Sequence, residues 1–128
     1  MTARDFRRIA LGMTGATEGA HMGHPDFRAE GRIFATLQPG DRRGMVKLTP
    51  EQQRELVRDH ALAFEREAGA CGRQGCTRVW LDQVGEDTLG IALTLARQNV
   101  AKKRPSASRP PLRRSFDVER RPRRAARR

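Results

Sequence analysis

HMGHPDFRAEGRIFATL, residues 21–37, is the stretch of sequence that decides the fold. Residues 29–31 end in Gly31, which supplies the positive φ that a tight turn needs, so this stretch predicts a β-hairpin. Pro25 disfavours a helical conformation at His24, so the chain leading into the hairpin is predicted to be extended. The predicted sheet therefore contains an antiparallel pair of strands.

The second strand of this hairpin has two different faces. Its side chains alternate over residues 32–37, with Ile33, Ala35 and Leu37 on one face and Arg32, Phe34 and Thr36 on the other. Alternation with a period of two is typical of a strand in a sheet. We therefore expect Arg32 and Phe34 to lie side by side on the same face.

Helix signals stand on both sides of the hairpin. Thr2 and Asp5 predict a capped helix, and its apolar stripe follows at helical spacing at Phe6, Ile9, Ala10 and Met13. A loop at 38–44 and a strand at 45–48 come next. The sequence Thr49-Pro50-Glu51-Gln52 then predicts a second helix, because it combines a capping box with proline at the first helical position.

The last third of residues 1–100 is predicted to add a strand and a helix. A Gly-rich loop at 69–75 leads into a strand at 76–81, on which Arg78 and Trp80 share a face. A helix follows from about Glu86. The order helix, about four strands, helix, strand, helix predicts a two-layer α+β domain with a mainly antiparallel sheet and helices on one face.

The positive charge is concentrated at the C-terminal end of the chain. Residues 1–100 contain 14 Lys and Arg against 13 Asp and Glu, whereas residues 101–128 contain 12 basic and two acidic residues. Four prolines and few large apolar residues predict that 101–128 is a disordered Arg-rich tail after one domain. Such a tail neutralises phosphates without reading bases, which favours nucleic-acid contact over the alternative of a merely solubilising extension.

We recognise neither a secretory signal nor a membrane span. Arg7 and Arg8 interrupt the N-terminal segment, and the apolar run at 90–96 is too short for a bilayer.

The chain has only two cysteines, Cys71 and Cys76. We therefore expect a cytoplasmic protein in which both are free thiols rather than a disulfide.

Signals for metal binding or catalysis are weak. His21 and His24 are three positions apart, and in one extended strand such residues point to opposite faces, so shared metal coordination is not expected. His24 and Asp26 offer two members of a catalytic set, but no third member is marked. The sequence therefore predicts a protein that is not an enzyme and that holds no metal or cofactor.

The chain resembles the MmcQ/YjbR family over about residues 4–100, in the segments GHPDFRAEGRIFATL, VKLT with the capped helix after it, and GACGRQGCTRVWL. The motif positions are Gly23-His24-Pro25-x-Phe27-Arg28, Gly31-Arg32-Ile33-Phe34-Ala35 and Gly72-x-x-Gly75-x-Thr77. The resemblance implies a fold related to secretion chaperones and frataxin-like folds, and DNA binding through a proposed double-wing surface. Cys71 and Cys76 stand where it leads us to expect tryptophans, so base stacking does not carry over to them.

We therefore expect a small non-enzymatic protein that binds DNA or another nucleic acid by sequence-independent, mainly electrostatic contacts, as a monomer or homodimer and without a membrane. The candidate contact residues are basic side chains of the domain and the tail: Arg28, Arg32, Arg42, Arg43, Lys47, Arg73, Arg78, Lys102, Lys103, Arg104, Arg113, Arg114, Arg120, Arg121, Arg123 and Arg124. Arg78 beside Trp80 would combine phosphate contact with base stacking, provided that their face is exposed. An ordinary solvated sheet face is the competing interpretation.

Two other functions stay open at this point. A protein-interaction or chaperone-like module would use an apolar sheet or helix face and would need no nucleic acid. Iron handling, by analogy with frataxin-like folds, calls for an acidic surface and is disfavoured because the first helix, ARDFRRIA, is basic.

Overall fold

Four helices and six strands follow one another along the part of the chain that the structure describes. The computed structural model describes residues 1–102 except Met22, Pro39 and Asp41, and for His21 and Lys102 it describes the backbone. In chain order the elements are α1 (Ala3–Leu11), β1 (Thr17–His21), β2 (His24–Ala29), β3 (Arg32–Leu37), β4 (Arg43–Lys47), α2 (Pro50–Asp59), β5 (Phe64–Arg66), α3 (Gly69–Arg73), β6 (Cys76–Trp80) and α4 (Glu86–Lys102).

The strands form one antiparallel sheet in the order β1-β2-β3-β4-β6-β5. β2 and β3 are the predicted hairpin, and its turn is made by Glu30 and Gly31, with φ of 55° and 77°. Positive φ at both central residues suits the right-handed twist of the paired strands. The predicted α+β class with a mainly antiparallel sheet is confirmed.

Helices α1 and α4 cover one face of the sheet and form the core with it. The largest fully buried apolar side chains come from these helices, the strands and the ends of strands: Phe6, Phe27, Phe34, Phe64, Leu37, Leu81, Leu89 and Leu93. Burying a side chain of this size stabilises the fold by about 1.5–3 kcal/mol. The opposite sheet face, turned away from α1 and α4, is called the outer face below.

A bulge between β2 and β3 interrupts the predicted alternation of β3. Arg28 pairs with Ile33 and Phe27 with Ala35, so β3 carries one extra residue at this point. As a result, Phe34 and its neighbour Ala35 are both fully buried in the core. The prediction that Phe34 and Ala35 lie on opposite faces is wrong, because simple alternation does not allow for the extra residue. Arg32, which pairs with the buried Ala29, still lies on the same side of the sheet as Phe34.

Two elements between α2 and β6 were not predicted. β5 has three residues and lies at the sheet edge, where Phe64 pairs with Val79 and is buried. Helix α3 replaces the predicted Gly-rich loop, and its N-terminus has no side-chain cap. A three-residue strand and an uncapped five-residue helix leave too short a pattern to recognise.

The predicted helix starts agree with the structure. Capping boxes are present at Thr2 and Thr49, and α4 begins at Glu86. α4 runs to Lys102, two residues beyond the predicted domain boundary, and the remainder of the predicted tail, 103–128, lies outside the described residues. Within the described ranges, no helix combines the length and the apolar character needed to cross a bilayer.

Candidate nucleic-acid interface

The outer face of the sheet is polar and crosses all six strands. One row of register partners on this face consists of Gly19, Asp26, Thr36, Met45, Arg78 and Glu65. Two further pairs, Arg43 with Trp80 and Lys47 with Cys76, lie on the same face beside this row. The sheet therefore brings together residues that are far apart in sequence.

Trp80 lies between two guanidinium groups on this face. The Cζ atoms of Arg43 and Arg78 are 5.8 Å and 5.7 Å from the ring centroid, within the range of cation–π contacts. Trp80 Nε1 donates a hydrogen bond to Glu65 Oε1 at 3.2 Å, which fixes the edge of the ring. The side chain is only half-buried, so part of the indole stays accessible to a ligand. This site confirms that Arg78 and Trp80 share a face.

The charge of Arg78 is matched by carboxylates. Its Nη2 donates to Glu67 Oε1 at 2.8 Å, and Glu65 Oε1 lies 3.7 Å from its Nη1. The hydrogen bond to Glu67 raises the pKa of the Arg78 guanidinium above its usual value. Arg78 is 22 % exposed, and in the free protein its guanidinium is occupied by Glu67, Glu65 and the Trp80 ring.

Arg43 differs from Arg78 in how its charge is matched. Within the described residues, it forms no ion pair with a carboxylate, and its recorded partner is the Trp80 ring. An arginine in this state has its five N–H donors available for phosphate oxygens. Arg43 is therefore the cation of the Trp80 site best placed to meet an anion.

Arg28 lies near the other edge of the outer face and is engaged by Asp26. Its Nε and Nη2 donate to Asp26 Oδ1 and Oδ2 at 2.8 Å and 3.1 Å, a two-pronged contact. Asp26 is fully buried, and the hydrogen bond to it raises the pKa of Arg28. A buried carboxylate needs such a partner, so this pair is chiefly structural.

The remaining predicted contact residues are dispersed. Arg32 is exposed at the tip of the β2–β3 hairpin, Arg42 precedes β4, Lys47 is exposed at the end of β4, and Arg73 is exposed on α3. Lys102 ends α4, whereas Lys103, Arg104, Arg113, Arg114, Arg120, Arg121, Arg123 and Arg124 lie outside the described residues. Of the predicted set, the outer face brings Arg43 and Arg78 together at Trp80, whereas Lys47 lies on the same face four residues further along β4, opposite Cys76.

Two residues of this site were not predicted from the sequence. Glu65 and Glu67, which neutralise Arg78, lie in or just after β5, and without that strand their closeness to β6 could not be foreseen. Phe64-Glu65-Arg66 contains a single apolar residue and no alternation, so the sequence carried no usable signal for β5.

The prediction that Cys71 and Cys76 are free thiols is wrong, because the structure joins them in a disulfide. The single turn of α3 leads the chain back so that the two Cα atoms are 5.2 Å apart, within the range that a disulfide spans. The prediction was based on the reducing environment expected of the cytoplasm, and the sequence did not reveal the turn of α3. A cytoplasmic location stays a prediction.

The histidines are also arranged differently from the sequence argument. His21 and His24 are register partners across the turn between β1 and β2, rather than residues of one strand. Within the described ranges, no group of three or more His, Cys, Asp and Glu residues is placed to hold a metal ion.

Comparison with known proteins identifies a family and a solved structure with a similar fold. A family model described as YjbR matches residues 11–98. Protein DR2400 of Deinococcus radiodurans, whose crystal structure is described as a DUF419 domain, superimposes with a TM-score of 0.69 at 22% sequence identity and covers 83% of each chain. At this identity the likeness shows the fold alone. No curated protein matches.

Proposed function

The chain belongs to the YjbR family, and we propose that it is a small non-enzymatic protein that binds nucleic acid through sequence-independent, mainly electrostatic contacts. The observation that carries the proposal is the half-exposed Trp80 ring beside Arg43 on the outer face. An aromatic ring next to an available guanidinium offers stacking to a base and a charged contact to the adjoining phosphate.

The Trp80 site favours single strands over duplex. In a duplex the bases are already stacked on one another, so a flat protein surface reaches only backbone and groove edges. An unstacked base can lie on the exposed indole, and stacking of this kind contributes about 1–3 kcal/mol per base. No base edge needs to be read, which makes the contact independent of sequence.

Charge for this binding comes mainly from the C-terminal segment. On the outer face, Asp26, Glu65 and Glu67 match Arg28 and Arg78, so the sheet contributes little net charge. Residues 101–128 carry 12 basic and two acidic side chains. Phosphate neutralisation by these side chains releases counterions, which gives affinity that falls steeply with salt.

Fluorescence anisotropy of labelled oligonucleotides, measured over a salt series, tests the proposal. The full-length protein is compared with a variant that changes Arg120, Arg121, Arg123 and Arg124 to Gln. For a duplex, we expect the slope of log K against log salt to flatten by about 0.9 for each phosphate contact removed.

A matched control removes the same number of charges from exposed arginines of the domain, at Arg4, Arg54, Arg58 and Arg66. The control should change the slope much less than the tail variant. Absence of binding to single strands and duplex at low salt would refute the proposal, and equal effects of the two variants would refute the role of the tail.

An apolar groove between α1 and α4 favours the alternative of a protein-interaction module. Ile9, Met13, Ile91 and Leu95 line it, and Ile91 is 56 % exposed. A partner bound there would be held by apolar contacts. Such a complex would survive both high salt and the tail variant in a pull-down, whereas a nucleic-acid complex would not.

A further inference from the structure

The Cys71–Cys76 disulfide has one accessible end and one buried end. Cys71, on α3, is exposed, whereas Cys76, at the start of β6, is 5 % exposed. Thiol–disulfide exchange requires a thiolate to approach one sulfur while the other leaves. Of the two cysteines, Cys71 is the one that solvent reaches.

The segment around the bridge is held by contacts that do not involve sulfur. The buried Gln53 Nε2 donates to the carbonyl oxygens of Gly72 at 3.1 Å and Cys76 at 2.9 Å, and to Thr77 Oγ1 at 3.1 Å. Thr77 Oγ1 donates in turn to the Gly75 carbonyl at 2.8 Å. Opening the bridge therefore leaves both cysteines close together, which favours its return.

Cys71 opens onto a cavity of about 280 Å³ on the outer face. Its other lining residues are Gln38, Arg43, Met45, Glu67 and Ala68. Glu67 is paired with Arg78, whereas Arg43 forms no ion pair with a carboxylate of the described residues. The cavity thus offers an available guanidinium and an amide beside the accessible cysteine, a combination that suits a carboxylate.

We propose that the Cys71–Cys76 disulfide is a reversible exchange site for a low-molecular-weight thiol that carries a carboxylate. The inference does not rest on nucleic-acid binding. The thiolate attacks Cys71 Sγ, a new S–S bond joins the two, and the Cys71–Cys76 bond breaks. Cys76 leaves as a thiolate and takes a proton from water. Return attack of the Cys76 thiolate on Cys71 Sγ expels the small thiol and restores the bridge.

Full reduction needs a second equivalent of the same thiol. Its thiolate attacks the small-molecule sulfur of the mixed disulfide, and Cys71 leaves as a thiolate. Two thiols are then oxidised to one small-molecule disulfide, while the protein bridge is reduced to two thiols. Electrons and protons balance without any other reactant.

Glutathione, a tripeptide thiol with two carboxylates, is the probe for the test. The full-length wild-type protein is incubated with excess reduced glutathione, quenched with acid and mapped by peptide mass spectrometry. We expect the glutathionyl group on Cys71, and bridge re-formation when oxidised glutathione replaces the reduced form, with two equivalents of reduced glutathione released for each bridge formed from two thiols. A bridge that resists reduction until the protein unfolds, or an adduct mainly on Cys76, overturns the proposal.

Single-cysteine variants give a second readout with oxidised glutathione. C76S should acquire one glutathionyl group on Cys71, and the matched C71S variant should react at Cys76 at least about tenfold more slowly because access to sulfur limits the rate. Circular dichroism confirms that both variants are folded. Equal rates in two folded variants would contradict the assignment of the accessible sulfur.

The preference for a carboxylate is tested with R43Q in the C76S background. One partly exposed charge contact is worth about 0.2–1 kcal/mol, so R43Q should slow the reaction with oxidised glutathione by up to about fivefold. The reaction with the neutral bis(2-hydroxyethyl) disulfide should not change. Equal effects on both reagents, or no effect on either, would overturn the role of Arg43.

Discussion

At the scale of single residues, the arginines of the outer face differ in their partners. Two of them stabilise the fold through ion pairs, and one is available to a ligand. Arg28 and Arg78 are tied to Asp26 and to Glu67 by short hydrogen bonds. Among the residues that the structure describes, the Arg43 guanidinium contacts the Trp80 ring and forms no ion pair with a carboxylate. Counting basic residues in a sequence therefore overstates the charge that a folded surface offers.

Replacement of Trp80 tests the stacking contact directly. We expect W80A to weaken binding of a single-stranded oligonucleotide by about 1–3 kcal/mol, because the stacking surface is lost. W80F keeps an aromatic face and is the matched control, with a smaller loss. Anisotropy at constant low salt gives both values, and an affinity unchanged by W80A would exclude stacking at this position.

The two arginines beside Trp80 should behave differently. R43Q removes a cation that is free to meet phosphate, so we expect weaker binding and a flatter salt slope, by about 0.7 for one contact on a single strand. R78Q leaves Glu67 without its partner and should mainly lower thermal stability. Salt titrations and thermal melts of both variants check this, and a larger change of slope in R78Q would contradict it.

At the scale of elements, the segment from α3 to β6 depends on close backbone approach. Gly75 has φ of 115°, and a Cβ on it would overlap the carbonyl of Leu48. The Gly75 carbonyl accepts hydrogen bonds from Leu48 N and Thr77 Oγ1. This glycine therefore joins the end of β4 to the start of β6.

Alanine at this position should destabilise the domain strongly. We expect G75A to lower the free energy of unfolding by about 3 kcal/mol or more, since backbone strain alone contributes about 1–3 kcal/mol. The matched control is G90A in α4, where a Cβ would meet open space, and it should raise stability by about 0.8–1 kcal/mol. Urea unfolding measures both, and a near-neutral G75A would contradict the described packing.

The capping box of α1 predicts how the stability of the domain depends on pH. Hydrogen bonds from the backbone and side chain of Thr2 lower the pKa of Asp5, and Arg8 lowers it further. A lowered folded-state pKa gives stability that is present above the unfolded pKa and is lost as pH falls through the folded value. T2A removes the side-chain hydrogen bond and keeps the backbone one, so it should raise the Asp5 pKa only part of the way toward its usual value, and R8Q should raise it less. Carboxyl NMR titrations measure this, and a larger rise in R8Q would reverse the assigned cause.

Elements with local signals were the ones that could be predicted from the sequence. The Thr49 capping box and the Gly31 turn depend on residues three or fewer positions apart, and both are present. The joint burial of the neighbours Phe34 and Ala35 depends on a bulge in the pairing with β2, and the partners of Arg78 lie in or just after β5. Such features depend on pairing between segments, which the local pattern of one strand does not contain.

At the scale of the whole molecule, most of the excess positive charge lies in a different part of the chain from the Trp80 site. The described domain holds the core and the Trp80 site, and residues 1–100 are nearly balanced in charge. The excess of basic residues follows in 101–128. The proposed function needs both parts, because the tail supplies electrostatic affinity and the outer face supplies a place for a base.

The intrinsic fluorescence of the full-length protein gives the most direct test, because Trp80 is its single tryptophan. Titration with an unlabelled single-stranded oligonucleotide at low salt should quench the emission, saturate together with the anisotropy of a labelled strand, and reverse on addition of salt. Anisotropy that reports binding while the Trp80 emission stays unchanged would contradict contact at the outer face.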